Sequence, residues 1–398
     1  MTQAVMELCD HVVCSTYARY PVVLEKGRGS RLWDTNGKEY IDFVAGIAVC
    51  NLGHCHPEVT EVICRQAETL VHVSNLFYTR PQVELADALR RHSFADRVFF
   101  ANSGAEANEA AIKLARKYSR DKYGPGRFHV ITMEDSFHGR TLATLSATAQ
   151  EKVHKGFEPL VEGFHFVPYN DIEAVRRAMT PQVCAVLVEP IQGEGGVRIG
   201  NSEYFRELRA LCTERDVLLI FDEVQVGMGR TGTLFAYEQF LVSPDVMTLA
   251  KALGNGLPIG AMLATEQAAQ AFTPGSHAST FGGTPLVTAA AGKVLEIIAQ
   301  EPFLAAVREK GQYFLEKLRE LQARHSEKVM DVRGRGLMLG MELAGPGKPL
   351  VEKCLSRGFL INCTHETVLR FVPPLVIEKE EIDRLVDVLD TVLKEWTP

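Results

Sequence analysis

Six short apolar runs between Arg97 and Ala264, separated by helical stretches, constrain this chain more than any other feature of its sequence. They are Arg97 to Phe100, His129 to Met133, Val183 to Val188, Val217 to Phe221, Val246 to Leu249 and Gly260 to Leu263. Each is continuous rather than alternating, the pattern of strands covered on both faces. Between them, Ala105 to Tyr118 sets Ala107, Ala111, Leu114, Ala115 and Tyr118 on one helical face, and Tyr204 to Cys212 behaves similarly. This βα alternation predicts an α/β fold with a mainly parallel central sheet.

The flanks read differently. Asn36-Gly37 lies between two strand-like segments within Leu24 to Phe43, a hairpin signal. Beyond about residue 287 come long helical stretches with Phe314, Leu315, Leu318 and Leu321 on one face. A strand follows at Val368 to Val372, then a closing helix with Ile382, Leu385, Leu389 and Val392. The expected organisation is an N-terminal segment, 1–58, joining a small α+β domain at 287–398, with a large α/β domain at 59–286. The 398 residues, 46% hydrophobic and 23% charged, suit a chain of two or three domains with a large packed core.

Composition narrows the partners. A formal charge of −7 argues against nucleic acid or an anionic membrane as the main partner. No apolar run approaches the roughly 18 residues of a membrane span. The first ten residues carry acids and no Lys or Arg, unlike a targeting segment. Nine cysteines without a C-x-x-C pair fit a reduced, cytoplasmic setting. Cys50, His54, Cys55 and His56 cluster in the sequence but lack the second ligand pair of a structural zinc site, so no metal is expected.

In open α/β sheets ligands bind beyond the carboxyl ends of the strands. After Phe100 comes Ala101-Asn102-Ser103-Gly104-Ala105 and a helix, whose first N–H groups suit a phosphate. Asp222 closes a buried strand, where a carboxylate is costly unless it faces a cation such as a protonated ring nitrogen. Lys251 closes another and is followed by Ala-Leu-Gly-Asn-Gly; a desolvated amine there is suited to a Schiff base. Each alone also reads as an ordinary cap, a turn acid or a solvated lysine. Together, in this order, they specify pyridoxal phosphate. Gly227 to Gly232 matches G-x-G-x-x-G, but no long helix follows and the next acids come too soon for dinucleotide binding. Nucleotide P-loop, zincin and serine-hydrolase signatures are missing from the sequence.

With these residues in hand, the chain resembles the class III (subgroup II) pyridoxal-phosphate aminotransferases of fold type I, most closely the branch acting on N-acetylornithine. The resemblance spans essentially the whole chain. It rests on Phe99 to Glu109, Ser136 to Thr141, Val188 to Gly196, Phe221 to Gly227, Leu249 to Gly254, Ser279 to Gly283 and Arg370 to Leu375. It implies that Lys251 bonds the cofactor and moves the proton, while Asp222 keeps the ring nitrogen protonated. Gln225 would bond the ring's phenolic oxygen and Phe137 would stack on the ring. Ser103, Gly104 and Ala105 would cradle the phosphate, joined by Thr280 from the neighbouring subunit, so a homodimer is implied.

The same resemblance implies that Arg140 and Arg370 clamp substrate carboxylates, with Glu194 pairing Arg370 until the acceptor arrives. Tyr17, Ser279 and Glu189 would border the pocket. Ile47 stands where related ornithine δ-aminotransferases generally have tyrosine, which favours an acylated donor or is simply packing. Cys50 and Thr284, commonly Asn, and Ala278, commonly Gly, depart from the family pattern. The implied reaction moves the δ-amino group of N2-acetylornithine to 2-oxoglutarate, giving N-acetylglutamate 5-semialdehyde and glutamate in arginine biosynthesis. Succinylornithine, N-succinyl-diaminopimelate, ornithine or 4-aminobutyrate as donor, or a non-catalytic cofactor-binding protein, are the alternatives.

Overall fold

The computed structural model describes residues 2–398. After a helix at Thr2–Val12, β1 (Leu24–Arg28), β2 (Arg31–Asp34) and β3 (Glu39–Asp42) form antiparallel hairpins. The turn between β2 and β3 holds Asn36-Gly37, with Gly37 at φ 81°, a value that favours glycine. The chain then builds β4 (Arg97–Ala101), β5 (His129–Met133), β6 (Phe164–Val167) and β7 (Val183–Val188). A short ribbon of β8 (Ile191–Gln192) and β9 (Arg198–Ile199) follows, then β10 (Leu218–Asp222), β11 (Val246–Leu249) and β12 (Gly260–Ala264).

The central sheet runs β4-β12-β11-β10-β7-β5-β6. Six strands are mutually parallel and β12 alone runs against them, pairing antiparallel with β11 and β4. The expected sheet is therefore present with two refinements. The sixth apolar run is antiparallel, so its carboxyl end points away from the other five. An edge strand, β6, was not foreseen. Its Phe164-His165-Phe166-Val167 buries only Val167, too little for a continuous apolar signal. Both faces of the sheet are covered. Val183, Val186 and Val188 of β7 enter one core with Leu219 and Phe221 of β10. Leu187 of β7 and Ile220 of β10 enter the other with Ala111, Leu114 and Ala115 of the helix Gly104–Tyr123.

The last third adds β13 (Val329–Arg335), β14 (Met338–Leu343), β15 (Phe359–Leu360), β16 (Asn362–Thr364) and β17 (Val368–Phe371). A second sheet runs β13-β14-β17-β16, and β15 pairs parallel with β3 of the N-terminal hairpins. Ile41 and Phe43 pack in one core with Phe314, Phe359, Phe371 and the buried face of the closing helix Lys379–Glu395. The two ends of the chain thus share a core beside the central sheet. This brings β17, with Arg370, against the mouth of that sheet.

Candidate active site

Five parallel strands deliver their carboxyl ends to one cavity of about 450 Å³. The helix Gly104–Tyr123 begins there, after β4. Ser103 caps it by accepting from the Glu106 N–H at 3.2 Å, and Glu106 reaches back to the Asn102 N–H at 2.6 Å. The N–H groups of Gly104 and Ala105 have no acceptor among the described residues, and they open into the cavity. Glycine is required at 104 because a Cβ would come within 2.7 Å of Val224 Cγ1. A helix start with free N–H groups and a positive dipole end is an anion site.

Asp222 is 4% exposed and held on both oxygens. Its Oδ2 accepts from Asn108 Nδ2 at 2.7 Å and contacts His138 Nδ1 at 2.8 Å; its Oδ1 accepts from the Val224 N–H at 3.0 Å. Asn108 is fixed in turn by Thr248, whose hydroxyl donates to Asn108 Oδ1 at 2.7 Å. A buried, fully hydrogen-bonded carboxylate of this kind is preorganised to meet a cation.

Lys251 follows β11 with φ 38° and lines the cavity opposite this network. Burial pushes its ammonium below the usual lysine range, and the Arg370 charge adds to this against the opposing pull of Glu194, Asp222 and Glu189. The amine is thereby biased towards its nucleophilic, neutral form. Glu189, beyond β7, accepts from the Phe137 N–H at 3.1 Å; burial, followed by the Asp222 charge, pushes its carboxyl well above the usual range.

Two guanidinium groups differ in company. Arg370 is fully buried, pairs with Glu194 and lies 3.1 Å from Gln225 Oε1, while Gln225 Nε2 donates to Glu194 at 3.2 Å. Burial alone would raise Glu194, but Arg370 and Lys251 outweigh it and hold the carboxyl below its usual range. Arg140 is exposed, sits 5.6 Å from the Phe137 ring centroid, faces the cavity and has no carboxylate partner among the described residues.

The cavity unites Ser103, Gly104, Ala105, Phe137, Arg140 and Glu189 with Asp222, Gln225 and Lys251. Glu194 and Arg370 join it through Gln225. Four expected residues lie outside it. Tyr17 is 73% exposed and Ile47 lines a separate cavity. Thr280 is exposed, and Ser279 contacts Asn102 Nδ2 through Oγ at 3.3 Å.

Comparisons over the whole chain show its family. The family model for class III aminotransferases matches residues 13–393. The chain is a class III aminotransferase. The acetylornithine aminotransferase of Caldanaerobacter subterraneus subsp. tengcongensis is 55% identical, over 96% of both chains. That of Methanocaldococcus jannaschii is 52% identical over 95% of both. Among solved structures, the ornithine aminotransferase of Toxoplasma gondii superposes with a TM-score of 0.96 at 36% identity, covering 100% of this chain and 96% of that one. The N-acetylornithine aminotransferase of Stenotrophomonas maltophilia gives 0.85 at 39% identity, covering 98% of each chain. This class III aminotransferase therefore has the fold type expected from its sequence.

Sequence reasoning did not assign Asn108 and His138, which grip Asp222 in this aminotransferase. A signal existed for Asn108: it is a polar residue on the otherwise apolar face formed by Ala107, Ala111 and Leu114. His138 had none, since its role depends on β5 and β10 lying close together.

Proposed function

We propose that this enzyme transfers the δ-amino group of N2-acetylornithine to 2-oxoglutarate with pyridoxal phosphate as cofactor, yielding N-acetylglutamate 5-semialdehyde and glutamate. The observation that carries this reading is the identity of 52–55% over nearly full length to acetylornithine aminotransferases, joined to a cavity with two guanidinium groups in different states. The ornithine aminotransferase superposes well but is only 36% identical. Overall shape therefore does not separate the two donors.

The residues present fit the cofactor. Free N–H groups at Gly104 and Ala105 suit its phosphate, Asp222 suits a protonated ring nitrogen, and Lys251 suits its aldehyde carbon. When bound, pyridoxal phosphate supplies a carbonyl that takes up an amino group and a ring that withdraws electrons. Asp222, gripped by Asn108 and His138, would keep the ring nitrogen protonated. Gln225 would meet the phenolic oxygen and Phe137 the ring face. The Lys251 Nζ would also serve as the base that takes a proton from the donor's δ-carbon and returns one on the acceptor's side of the transfer. The donor's CH2–NH2 becomes an aldehyde, and the 2-oxo carbon of the acceptor becomes CH–NH2.

Arg140, the unpaired cation, binds the donor's carboxylate. Glu194 keeps Arg370 closed while a donor reacts at its distal amine, then releases it for the second carboxylate of 2-oxoglutarate or glutamate. Glu189 borders this space, and Ser279, Tyr17 and Ile47, which lie outside the cavity of the single chain, would approach it from the rim. A homodimer would complete the site by bringing Thr280 of one subunit to the phosphate of the other. The exposed Leu76, Phe77, Tyr78 and Phe281 mark the surface that would be covered. No helix among the described residues is long and apolar enough to cross a membrane. A small-molecule enzyme of arginine biosynthesis working in the cytoplasm fits these properties. The test is a donor panel with 2-oxoglutarate: kcat/KM is expected to be highest for N2-acetylornithine, and a preference for ornithine or 4-aminobutyrate refutes the assignment.

A further inference from the structure

The carboxylate that pairs with Arg370 stands on a loop held from outside the cavity. Glu194 lies in the stretch Gly193 to Val197 between β8 and β9. That ribbon pairs only Ile191 with Ile199 and Gln192 with Arg198, too little to fix the loop by itself. The loop also contains backbone that needs support. Val197 has φ 54°, and its branched Cβ is crowded in the left-handed region. Such a conformation persists only where its neighbours impose it.

The chief neighbour is Arg333 of β13. Its Nη2 donates to Gly196 O at 2.7 Å, and its Nε lies 3.1 Å from Gly196 O and 3.2 Å from Val197 O. Its Nη1 donates to Asp331 Oδ2 at 2.7 Å and to Glu342 Oε2 at 2.6 Å. Asp331 and Glu342 stand opposite each other on β13 and β14, so the two acids aim the guanidinium. All three of its nitrogens are engaged, a planar fork that lysine does not reproduce. Thr364 of β16 donates its hydroxyl to Glu194 O. Among the described residues, only Arg333 donates to the two carbonyls that close the loop.

The register ties this arginine to the one in the site. Arg333 pairs with Gly340 of β14, and Gly340 pairs with Arg370 of β17. The two arginines therefore share one row and one face of the second sheet, and the loop lies across that row. Between them Gly340 gives the loop room, because a Cβ there would stand 3.0 Å from Val197 Cβ. Arg370 takes the loop's carboxylate, and Gln225 Nε2 donates to the same carboxylate at 3.2 Å. Arg333 takes the loop's carbonyls.

We propose that Arg333 is a positioning residue that holds the 193–197 loop where Glu194 closes on Arg370, and so sets the balance between the donor and acceptor halves of the reaction. This rests on the switching role given to Glu194 and Arg370 above. With the loop released, an unpaired Arg370 would draw the donor's carboxylate away from Arg140 and carry its amine out of reach.

The test follows the two half-reactions separately by cofactor absorbance, in holoenzyme carrying Arg333→Gln. The ratio of kcat/KM for the amino donor over that for glutamate is expected to fall about tenfold or more, through the donor's KM, while the glutamate half changes less than about threefold. Arg333→Lys is expected to restore the ratio only in part. Glu194→Gln is expected to shift the ratio in the same direction, and adding Arg333→Gln to it should change the ratio less than about twofold further. Should Arg333→Gln fail to fold, Gly340→Ala, which presses on Val197 from the same row, is expected to shift the ratio likewise. A parallel loss in both half-reactions, or a full additional effect in the double variant, overturns the inference. If Glu194→Gln moves the ratio and folded Arg333→Gln does not, the positioning role alone is refuted; if Glu194→Gln leaves it unchanged, the switching role itself fails. The ratio is taken for whichever amino donor the parent prefers, so an error in the donor assignment shows separately.

Discussion

The two ends of the catalytic cavity are built to different standards. At the lysine end, the chain itself supplies the partners of Asp222. Asp222 has three hydrogen-bond partners, Asn108 is fixed by Thr248, and all sit on strand ends or a long helix of one rigid sheet. Outside the cavity, Tyr17, Ile47, Thr280 and Phe281, which our reading brings to its rim, are exposed, and Tyr78 is 99% exposed. On our reading, the buried sheet carries the chemistry common to the family. On the same reading, selection of the substrate falls to the rim loops and to a second subunit.

If that contrast is real, changes at the lysine end destroy turnover and changes at the mouth redistribute it. Lys251→Ala is expected to have the largest effect, a loss of about 10⁴-fold or more in turnover together with the borohydride-reducible yellow absorbance of the holoenzyme. Asp222→Asn follows, lowering kcat by roughly 10²–10³-fold with the fold intact by circular dichroism. Arg140→Ala acts nearer the mouth and is expected to raise KM by about 10–100-fold for the donor and for 2-oxoglutarate, since both carry carboxylates.

Thr280→Ala sharpens the comparison with a smaller effect, a few-fold to about tenfold weaker retention of the cofactor. Mixed dimers of Thr280→Ala and Lys251→Ala chains then contain one site with an intact lysine and an intact threonine from the other subunit. Recovery of parental cofactor affinity in that site is expected, and its absence places Thr280 at its own chain's site. The smallest effect concerns His54. Burial works against its charged form, but Asp42 and Cys50 outweigh burial and push its pKa up to about 10. Because the folded value lies above the unfolded one, the Asp42 pair contributes fully below about pH 6.5 and its contribution is lost as pH rises through 10. Tm is expected to decline between pH 7 and 10, and His54→Gln is expected to flatten that part of the profile.

The same contrast governs what the sequence reveals. Strands β5 and β7 and the closing helix are legible because burial on both faces, or on one helical stripe, leaves an unbroken local pattern. Asp222 and Lys251 are legible because chemistry-bearing residues end apolar runs. The antiparallel sense of β12 is not legible, since Gly260–Ala264 is as buried as its parallel neighbours and direction leaves no mark on composition. The left-handed turn at 45–48 is hidden for another reason. Only Gly46 advertises a positive φ, while Ala45, Ile47 and Ala48 are forced there by Asp42, His54 and Asn51. The hold of His138 on Asp222 joins residues 84 positions apart and likewise leaves no local trace.

The central claim is that the enzyme moves one particular nitrogen, from the δ-carbon of an acylated diamine to the 2-position of 2-oxoglutarate. Incubating the holoenzyme with 2-oxoglutarate and N2-acetylornithine isotopically labelled at the δ-nitrogen, then measuring the label by mass spectrometry, tests it directly. The label should appear in the amino group of glutamate in step with formation of N-acetylglutamate 5-semialdehyde. Unlabelled glutamate, or no glutamate while another amine donor supports turnover, would contradict the account.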